Sequence, residues 1–237
     1  MANTSKTPRE RADDVWARPP AGRRPKLTRE AIVETAIKLA DAEGLDAVSI
    51  RRIASELGVR AMSLYTHIDA KEDILDLMYD EVAGEALIEE ELPDDWREAC
   101  LQIVRRERQA SRDHPWMFEL ARRSPRVGPN GLRHAEQTFA AVARLTDDPE
   151  AMVAIATALD NYSLGFAIRE QHTVERGECG LQSARSSMLE RRYVRSLLES
   201  GEFPHLKPLL ELGVLDQDTF EQGLTWLLDG IERDYGR

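Results

Sequence analysis

One glycine, Gly58, separates two short helical patterns and limits the folds open to this chain. Ser49 has the side chain of a helix N-cap, and apolar residues follow on one helical face until Gly58. Glycine tolerates the left-handed backbone that ends a helix, and a second helix is predicted over residues 60–66. These are the parts of a helix-turn-helix, whose second helix enters the major groove of DNA. A purely structural three-helix bundle is the alternative, but it does not need polar and aromatic residues on its outer face.

Helices are predicted on both sides of this motif. One begins at the N-cap Thr28 and stops at Gly44. Asp69 and Glu72 have the spacing of a capping box and predict the start of a long helix. Further helical patterns cover residues 95–111, 115–123, 131–145, 149–172, 183–199 and 217–234. With no convincing strand, the sequence predicts an all-α protein.

The net charge of -11 conceals an uneven distribution. Residues 1–71 contain 13 Lys and Arg against 10 Asp and Glu, whereas residues 72–237 contain 19 against 33. A locally basic segment attracts DNA phosphates, and an acidic remainder is repelled by them. We predict a flexible basic tail over 1–26, a three-helix DNA-binding domain over 27–73, and a larger helical bundle over 74–237.

The segment from Leu27 to about Met78 resembles the DNA-binding domain of the tetracycline-repressor (TetR) family. The resemblance is carried by LTREAIVETAIKLADAEGLDAVSIRRIASELGV and by the recognition helix AMSLYTHI followed by Lys71. YSLGFAIREQ (162–171) and FEQGLTWLLDGIE (220–232) are similar to two dimer-interface helices of the tetracycline-repressor branch. The resemblance implies a sequence-specific transcriptional repressor that leaves a palindromic operator when a small-molecule effector binds the domain over 74–237.

The resemblance also implies which residues meet DNA. Phosphates are expected to contact Ser49, Arg51, Tyr65, His67 and Lys71, and bases are expected to face Arg60, Ala61, Met62 and Ser63. Lys71 stands beside the amides of a helix start, which gives one anion two kinds of partner. Arg60 can pair with guanine, and Met62 can lie against a thymine methyl. The cations near the end of the tail (Arg18, Arg23, Arg24 and Lys26) either enter the minor groove or belong to a merely soluble leader.

Helical bundles hold ligands between helices, in mostly apolar pockets. In the family, the segment from His114 to Arg123 lies beside the inducer cavity, together with three neighbouring helices. The implied lining consists of Trp116, Phe118, His134, Gln137, Asn161 and Phe166, although the apolar members are equally well ordinary core residues. The histidine that holds the magnesium of tetracycline has no counterpart before Pro125, where the chain reads FELARRSP. A magnesium–tetracycline effector is not implied, and family habits alone favour an aromatic or polyketide-like compound.

One helix-turn-helix covers only one half-site, so a twofold dimer is expected. Two late segments are predicted to form a four-helix interface with their symmetry mates. The first is Ala151–Ile168, with small residues at Ala154, Ala158 and Gly165; the second is Phe220–Ile231, with a stripe of Leu224, Leu227, Leu228 and Ile231 beside Trp226. The alternative is that both helices close the core of their own chain.

Other classes of protein have little support. The five histidines are scattered and no nucleophile elbow, phosphate loop or HExxH motif occurs, so we predict neither enzyme nor cofactor. Metal chelation by His114 and His134 lacks any ligand spacing. An architectural DNA binder would not need so large a second domain. No apolar run approaches the roughly 18 to 20 residues of a membrane span, and no hydrophobic signal core begins the chain, so a cytoplasmic protein is expected.

Overall fold

A computed structural model describes the chain over residues 27–123, 127–175, 192–214 and 217–236. In these ranges the secondary structure is helical and no strand occurs. The helices are α1 (Arg29–Glu43), α2 (Ile50–Glu56), α3 (Ala61–Leu64), α4 (Lys71–Glu85), α5 (Trp96–Asp113), α6 (Met117–Arg122), α7 (Pro129–Val142), α8 (Pro149–Glu175), α9 (Arg192–Glu199), α10 (Leu206–Leu212) and α11 (Phe220–Tyr235). The predicted all-α class is confirmed, and the tail over 1–26 lies outside the described residues.

The ends of α1 and α2 are fixed by local side-chain and backbone chemistry. Thr28 Oγ1 accepts a hydrogen bond from Ala31 N at 3.0 Å, and Ser49 Oγ accepts one from Arg52 N at 3.2 Å. Gly44 ends α1 at φ 84°, which confirms the predicted stop. Because each of these signals acts within a few residues, the sequence alone was enough to predict them.

The start of α4 differs from the prediction by one position. Asp69 and Glu72 were expected to form a capping box, but α4 begins at Lys71 with Ala70 as its N-cap residue. The buried Asp73 supplies the carboxylate, since its Oδ2 accepts from Asp69 N at 2.7 Å and from Ala70 N at 3.2 Å. The helix start is therefore stabilised from the third helical residue.

The later helices lie within a few residues of their predicted bounds, with one addition. α10 was not predicted, because Pro208 interrupts the apolar pattern of residues 206–212. Pro208 is the third residue of α10, and proline is tolerated in the first turn of a helix, where no intrahelical amide partner is needed. Residues 183–191 of the helix predicted over 183–199 lie outside the described residues.

Contacts divide the described chain into two compact units that meet within α8, one ending at Ser163 and one beginning at Leu164. The core of the first unit joins apolar side chains of α1 to α4 with Ala110, Trp116 and Leu120 from the corner between α5 and α6. Helices α2 and α3 therefore share one core with the α5–α6 corner. In the second unit, the rings of Phe166 and Phe220 pack edge to face with centroids 5.2 Å apart.

The stripe predicted for dimerisation on α11 requires correction. Leu224 and Leu228 are fully buried and Ile231 is nearly so without any second chain, so this face of α11 packs within its own chain. Leu227 is half-buried, and Trp226 exposes 65% of its surface. Sequence periodicity finds both apolar faces of such a helix but does not tell which one packs within the chain.

The expectation that no apolar run reaches membrane length also requires correction. Within the described ranges, one helical stretch, Pro149–Glu170 of α8, is long and apolar enough to cross a bilayer by length and composition alone. A third of the tested stretch is buried inside the chain, and core helices of soluble proteins pass the same test. Length and composition of one such helix do not by themselves indicate a membrane span.

Candidate DNA-binding surface and effector cavity

One side of α2 and one side of α3 pack against the core of the first unit. Ile53 and Ala54 of α2 and Leu64 of α3 are buried. Between the helices Gly58 has φ 65°, and Val59 N donates to Ala54 O at 2.9 Å while Gly58 N donates to Ser55 O at 3.1 Å. This pair of bonds is a Schellman motif, which terminates α2 and aims the chain into α3. The predicted helix-turn-helix is confirmed.

The outer side of α3 presents the residues predicted to face bases. Arg60 is the N-cap residue and is exposed, and Met62 in the first turn exposes 74% of its surface. Ala61 and Ser63 are half-buried, whereas Tyr65 is 45% exposed. A methionine with this exposure contributes little to the core of its own chain, so its apolar atoms are available to a partner.

Two neighbouring arginines near the start of α2 differ in their partners. Arg52 Nη2 lies 2.9 Å from Glu43 Oε1 and 3.3 Å from Glu56 Oε1, so its charge is partnered within the chain. Arg51 is exposed beside the N-cap Ser49. Arg51 is therefore the better candidate for a phosphate contact.

Lys71 and His67 flank the loop between α3 and α4, and both are half-buried. Lys71 is the first residue of α4, so an ammonium group lies at the positive end of the helix dipole. That placement is unfavourable in isolation and becomes favourable when an anion binds there. The geometry is suited to a DNA phosphate, and the roles of both residues remain predictions.

A cavity of about 320 Å³ lies among α4, α7, α8 and the segment preceding α7. Its wall includes Tyr79 and Ala83 of α4, His134 and Phe139 of α7, and Ala156 and Asp160 of α8. Asp160 lines the cavity with part of its surface and exposes the rest to solvent, which places it at the opening of the cavity. A mainly apolar cavity of this volume with a few polar groups is typical of small-molecule sites.

Four titratable groups interact at this cavity: Glu107, His134, Asp160 and Tyr79. His134 Nε2 is fully buried 3.1 Å from Glu107 Oε1, although the two atoms lack the alignment of a hydrogen bond. Burial lowers the pKa of His134, but attraction to Glu107 and Asp160 outweighs it and raises that pKa overall. Burial and the charge of Glu107 raise the pKa of Asp160 to about 6. Burial also raises the pKa of Tyr79, and the negative charges of Glu107 and Asp160 raise it further. The carboxylates of Glu107 and Asp160 therefore influence both His134 and Tyr79.

Asp80 joins α4 to the start of α7. Its Oδ1 accepts hydrogen bonds from Asn130 N at 3.0 Å and Gly131 N at 2.9 Å, and Asn130 Nδ2 donates to Asp80 O at 3.1 Å. Gly128, the N-cap residue of α7, has no side chain to accept these bonds, and a Cβ there would overlap the Asp80 carboxylate. Asp80 therefore caps α7 from another helix.

Of the predicted lining residues, His134 borders this cavity and the others lie elsewhere or outside the description. Gln137 pairs with the backbone of Ile88. Its Nε2 donates to Ile88 O at 2.7 Å, and its Oε1 accepts from Ile88 N at 3.2 Å. Asn161 is exposed, and Phe166 packs on Phe220 in the second unit. Trp116 is buried in the core of the first unit, and the side chain of Phe118 lies outside the described residues. Sequence reasoning missed Tyr79 and Asp80, because it treated α4 only as a connecting helix, and on α8 it nominated the neighbouring Asn161 instead of Asp160.

A second buried histidine joins three helices of the first unit. His114 Nδ1 lies 2.8 Å from Asp41 Oδ1 of α1, and His114 Nε2 lies 3.0 Å from Glu85 Oε2 at the end of α4. Trp116 Nε1 donates to the same Asp41 oxygen at 2.6 Å. Since both ring nitrogens face carboxylates, the doubly protonated imidazolium fits the site best. Within the described ranges, no group of three or more His, Cys, Asp or Glu side chains is placed to hold a metal ion.

Two family models match the chain. Residues 32–78 match "Bacterial regulatory proteins, tetR family", and residues 90–235 match "Tetracyclin repressor-like, C-terminal domain". The first range contains α2, α3 and most of α1, and the second contains the helices from α5 onward. The family resemblance inferred from the sequence is thereby confirmed.

Similar proteins agree with these matches. The chain is 36% identical over 225 residues to the HTH-type transcriptional repressor DrrR1 of Streptomyces coeruleorubidus, covering 92% of this chain and 82% of the relative. It is 34% identical over 224 residues to an HTH-type transcriptional regulator of Saccharopolyspora erythraea, covering 94% and 92%. Among solved structures, ActR of Streptomyces coelicolor in complex with actinorhodin has a TM-score of 0.72 at 27% identity, covering 89% of this chain and 99% of that one.

Proposed function

The chain belongs to the TetR family of bacterial transcriptional regulators, and we propose that it is a homodimeric repressor released from its operator when a small molecule fills the His134 cavity. The observation that supports the proposal is that α4 carries both a proposed phosphate contact and residues of the cavity wall. Lys71 is its first residue, and Tyr79 and Asp80 line the cavity. At 1.5 Å per residue, the two sites are about 12 Å apart along one helix. The complex of ActR with actinorhodin is a precedent for a bound small molecule.

The DNA side of the proposal assigns base contacts to the start of α3 and phosphate contacts to its surroundings. The exposure of Arg60 and Met62 supports the first assignment. The position of Lys71 at a helix start and the exposure of Arg51 support the second. Ser49, Ala61, Ser63, Tyr65 and His67 complete the proposed surface.

Release requires only a modest difference in ligand affinity between two dimer states. In the binding state the two recognition helices are spaced for successive major grooves, about 34 to 36 Å apart. A hundredfold loss of operator affinity corresponds to about 2.7 kcal/mol of differential ligand binding, which is an ordinary coupling energy. The ligand acts by favouring a dimer whose readers have the wrong spacing.

The dimer of this proposal uses the exposed faces of α8 and α11. On α8, Val153 is 55% exposed, and Ala154 and Gly165 are exposed small residues that permit close approach of another helix. On α11, Trp226 is exposed. Apolar surfaces of this kind are typical of an obligate interface. We further propose that the protein is cytoplasmic and has no catalytic activity, with α8 covered by the partner chain and not by lipid.

The DNA assignment is tested on the operator sequence that the purified protein selects from a random DNA pool. Lys71→Ala is expected to weaken binding and to reduce the salt dependence by about one phosphate contact per half-site. Arg60→Ala is expected to change the selected sequence more than the salt dependence. Lys207→Ala removes a cation from the second unit and is the control. An unchanged salt slope for Lys71→Ala, or an unchanged selected sequence for Arg60→Ala, contradicts the assignment.

A further inference from the structure

We propose that the cavity among α4, α7 and α8 binds an organic cation: an apolar molecule with a protonated amine that pairs with the carboxylate of Asp160. The inference deepens the proposed function, because it takes this cavity as the effector site and names the chemical class of the effector. It follows from comparing the charged groups of the cavity and the partners that each already has.

The charge of Glu107 is offset within the protein. Glu107 backs the cavity and lies 3.1 Å from the imidazole of His134, whose pKa is raised. Both side chains are mostly buried, with 19% of His134 and 16% of Glu107 exposed. When the imidazole is protonated, Glu107 and His134 together carry little net charge, so this pair does not require a charged ligand.

The charge of Asp80 is also offset. Its carboxylate accepts two backbone amides at the start of α7, where the helix dipole favours an anion. The overlap that a Cβ at Gly128 would make with this carboxylate shows how closely the backbone surrounds it. Asp80 therefore fixes the cavity wall and is not the group that a ligand would neutralise.

Asp160 is the remaining carboxylate of the cavity. In the part of the chain that the structure describes, its carboxylate has no hydrogen bond or ion pair, and the charges that act on it are those of Glu107 and His134. No Lys or Arg is among the described residues that line the cavity. Burial next to Glu107 disfavours a second negative charge, as the raised pKa of Asp160 records. An ammonium group at the opening relieves this repulsion, whereas a ligand carboxylate would add to it.

The remaining wall is suited to the apolar body of such a molecule. Ala83, Ala135 and Ala156 leave room between the helices, and Tyr79 and Phe139 supply aromatic surface. Aromatic rings attract organic cations through their quadrupole as well as packing against apolar groups. The cavity thus offers one anion and aromatic surface, which together recognise an amine attached to a hydrocarbon or ring system.

The experiment uses the full chain and three probes with the same ring: 2-naphthylmethylamine, 2-naphthylmethanol and 2-naphthoate. Calorimetry at about pH 8, above the pKa of Asp160, is expected to give at least tenfold tighter binding of the amine than of the alcohol, about 1.4 kcal/mol, with the acid weakest. Asp160→Asn is expected to abolish this preference, and Asp160→Glu to keep it. Glu136→Gln, which removes an exposed carboxylate of α7 outside the cavity, is the matched control.

The outcomes separate this inference from the proposed function. If the alcohol or the acid binds as tightly as the amine, if Asp160→Asn keeps the preference, or if no probe binds, the cation assignment is wrong. Operator release is measured in parallel by fluorescence anisotropy. Should the acid or the alcohol bind best and still release DNA, the proposed function stands without the cation. Should the amine bind with the expected preference and leave operator affinity unchanged, the cation site stands and the effector role of the cavity fails.

Discussion

Replacing His114 with glutamine tests whether a charged imidazole holds α1, α4 and the α5–α6 corner together. The substitution removes a buried group that lies within hydrogen-bond distance of Asp41 and Glu85. Glutamine remains polar but carries no charge at any pH. We expect the variant to fold and to be less stable than the original chain, by an amount that depends on pH.

The size of the effect follows from the exposure of the two carboxylates. Hydrogen bonds to charged groups contribute about 1.5–3 kcal/mol each. Asp41 is 32% exposed and Glu85 is 51% exposed, so water screens the second interaction in particular. Exposed ion pairs contribute only about 0–1 kcal/mol. We therefore expect a total loss of about 2 kcal/mol when His114 is protonated.

The pH dependence has a definite sign. Burial lowers the pKa of His114, but hydrogen bonds and charges from Asp41 and Glu85 outweigh it, so the pKa in the folded state lies above the ordinary 6.5. The folded state thus holds this proton more tightly than the unfolded state does. The stabilisation is complete below about pH 6.5 and is lost as the pH rises through the raised pKa of His114.

Urea unfolding at fixed protein concentration, followed by tryptophan fluorescence, measures the effect. The stability difference between the original chain and His114→Gln should be largest near about pH 6 and should shrink by about pH 9. His205→Gln, at an exposed histidine, is the control and should show almost no difference. A deficit for His114→Gln that is constant over this range, or grows with pH, refutes the charged clamp.

Two further predictions concern the cavity wall and the dimer. Gly128→Ala places a Cβ against the Asp80 carboxylate and should lower the midpoint of thermal unfolding. The loss should be smaller in an Asp80→Ala background, and an equal loss in both backgrounds would disprove this contact as its cause. Trp226→Glu should convert the dimer to folded monomer in sedimentation, whereas Leu224→Glu, at a fully buried site, should unfold the chain. A stable Trp226→Glu dimer would remove this face of α11 from the interface.

Local signals accounted for the parts of the fold that the sequence predicted correctly. The N-caps Thr28 and Ser49 and the glycine stops act through bonds within about four residues. The start of α4 was misplaced, because Asp73 competes with Glu72 as the capping carboxylate and the buried side of the helix decides between them. α10 was overlooked, because a proline in its first turn resembles a break in the pattern.

The cavity was harder to predict, because its wall comes from three helices that are distant in sequence. The helical pattern of the sequence is equally consistent with Trp116 and Phe166 lining a cavity or packing in the core. Only the fold shows that Trp116 lies in the core and that Phe166 packs on Phe220. Asp160 interrupts the apolar stretch of α8 and was the available signal, since a carboxylate there marks the polar edge of an otherwise apolar wall.

The attachments of α4 determine how an event in the cavity reaches DNA. In its middle, Asp80 holds the start of α7 by two charge-assisted hydrogen bonds. Breaking both would cost about 3–6 kcal/mol, more than the roughly 2.7 kcal/mol that a hundredfold release requires. A ligand that displaces α7 therefore moves α4 with it instead of separating the two helices. At its end, α4 is held by the contact between Glu85 and His114. The Glu85 carboxylate is half exposed, so breaking this contact costs less free energy than breaking the Asp80 bonds. The weaker attachment yields first, so we expect this end of α4 to follow α7 and the whole helix to tilt, which shifts Lys71 at its start.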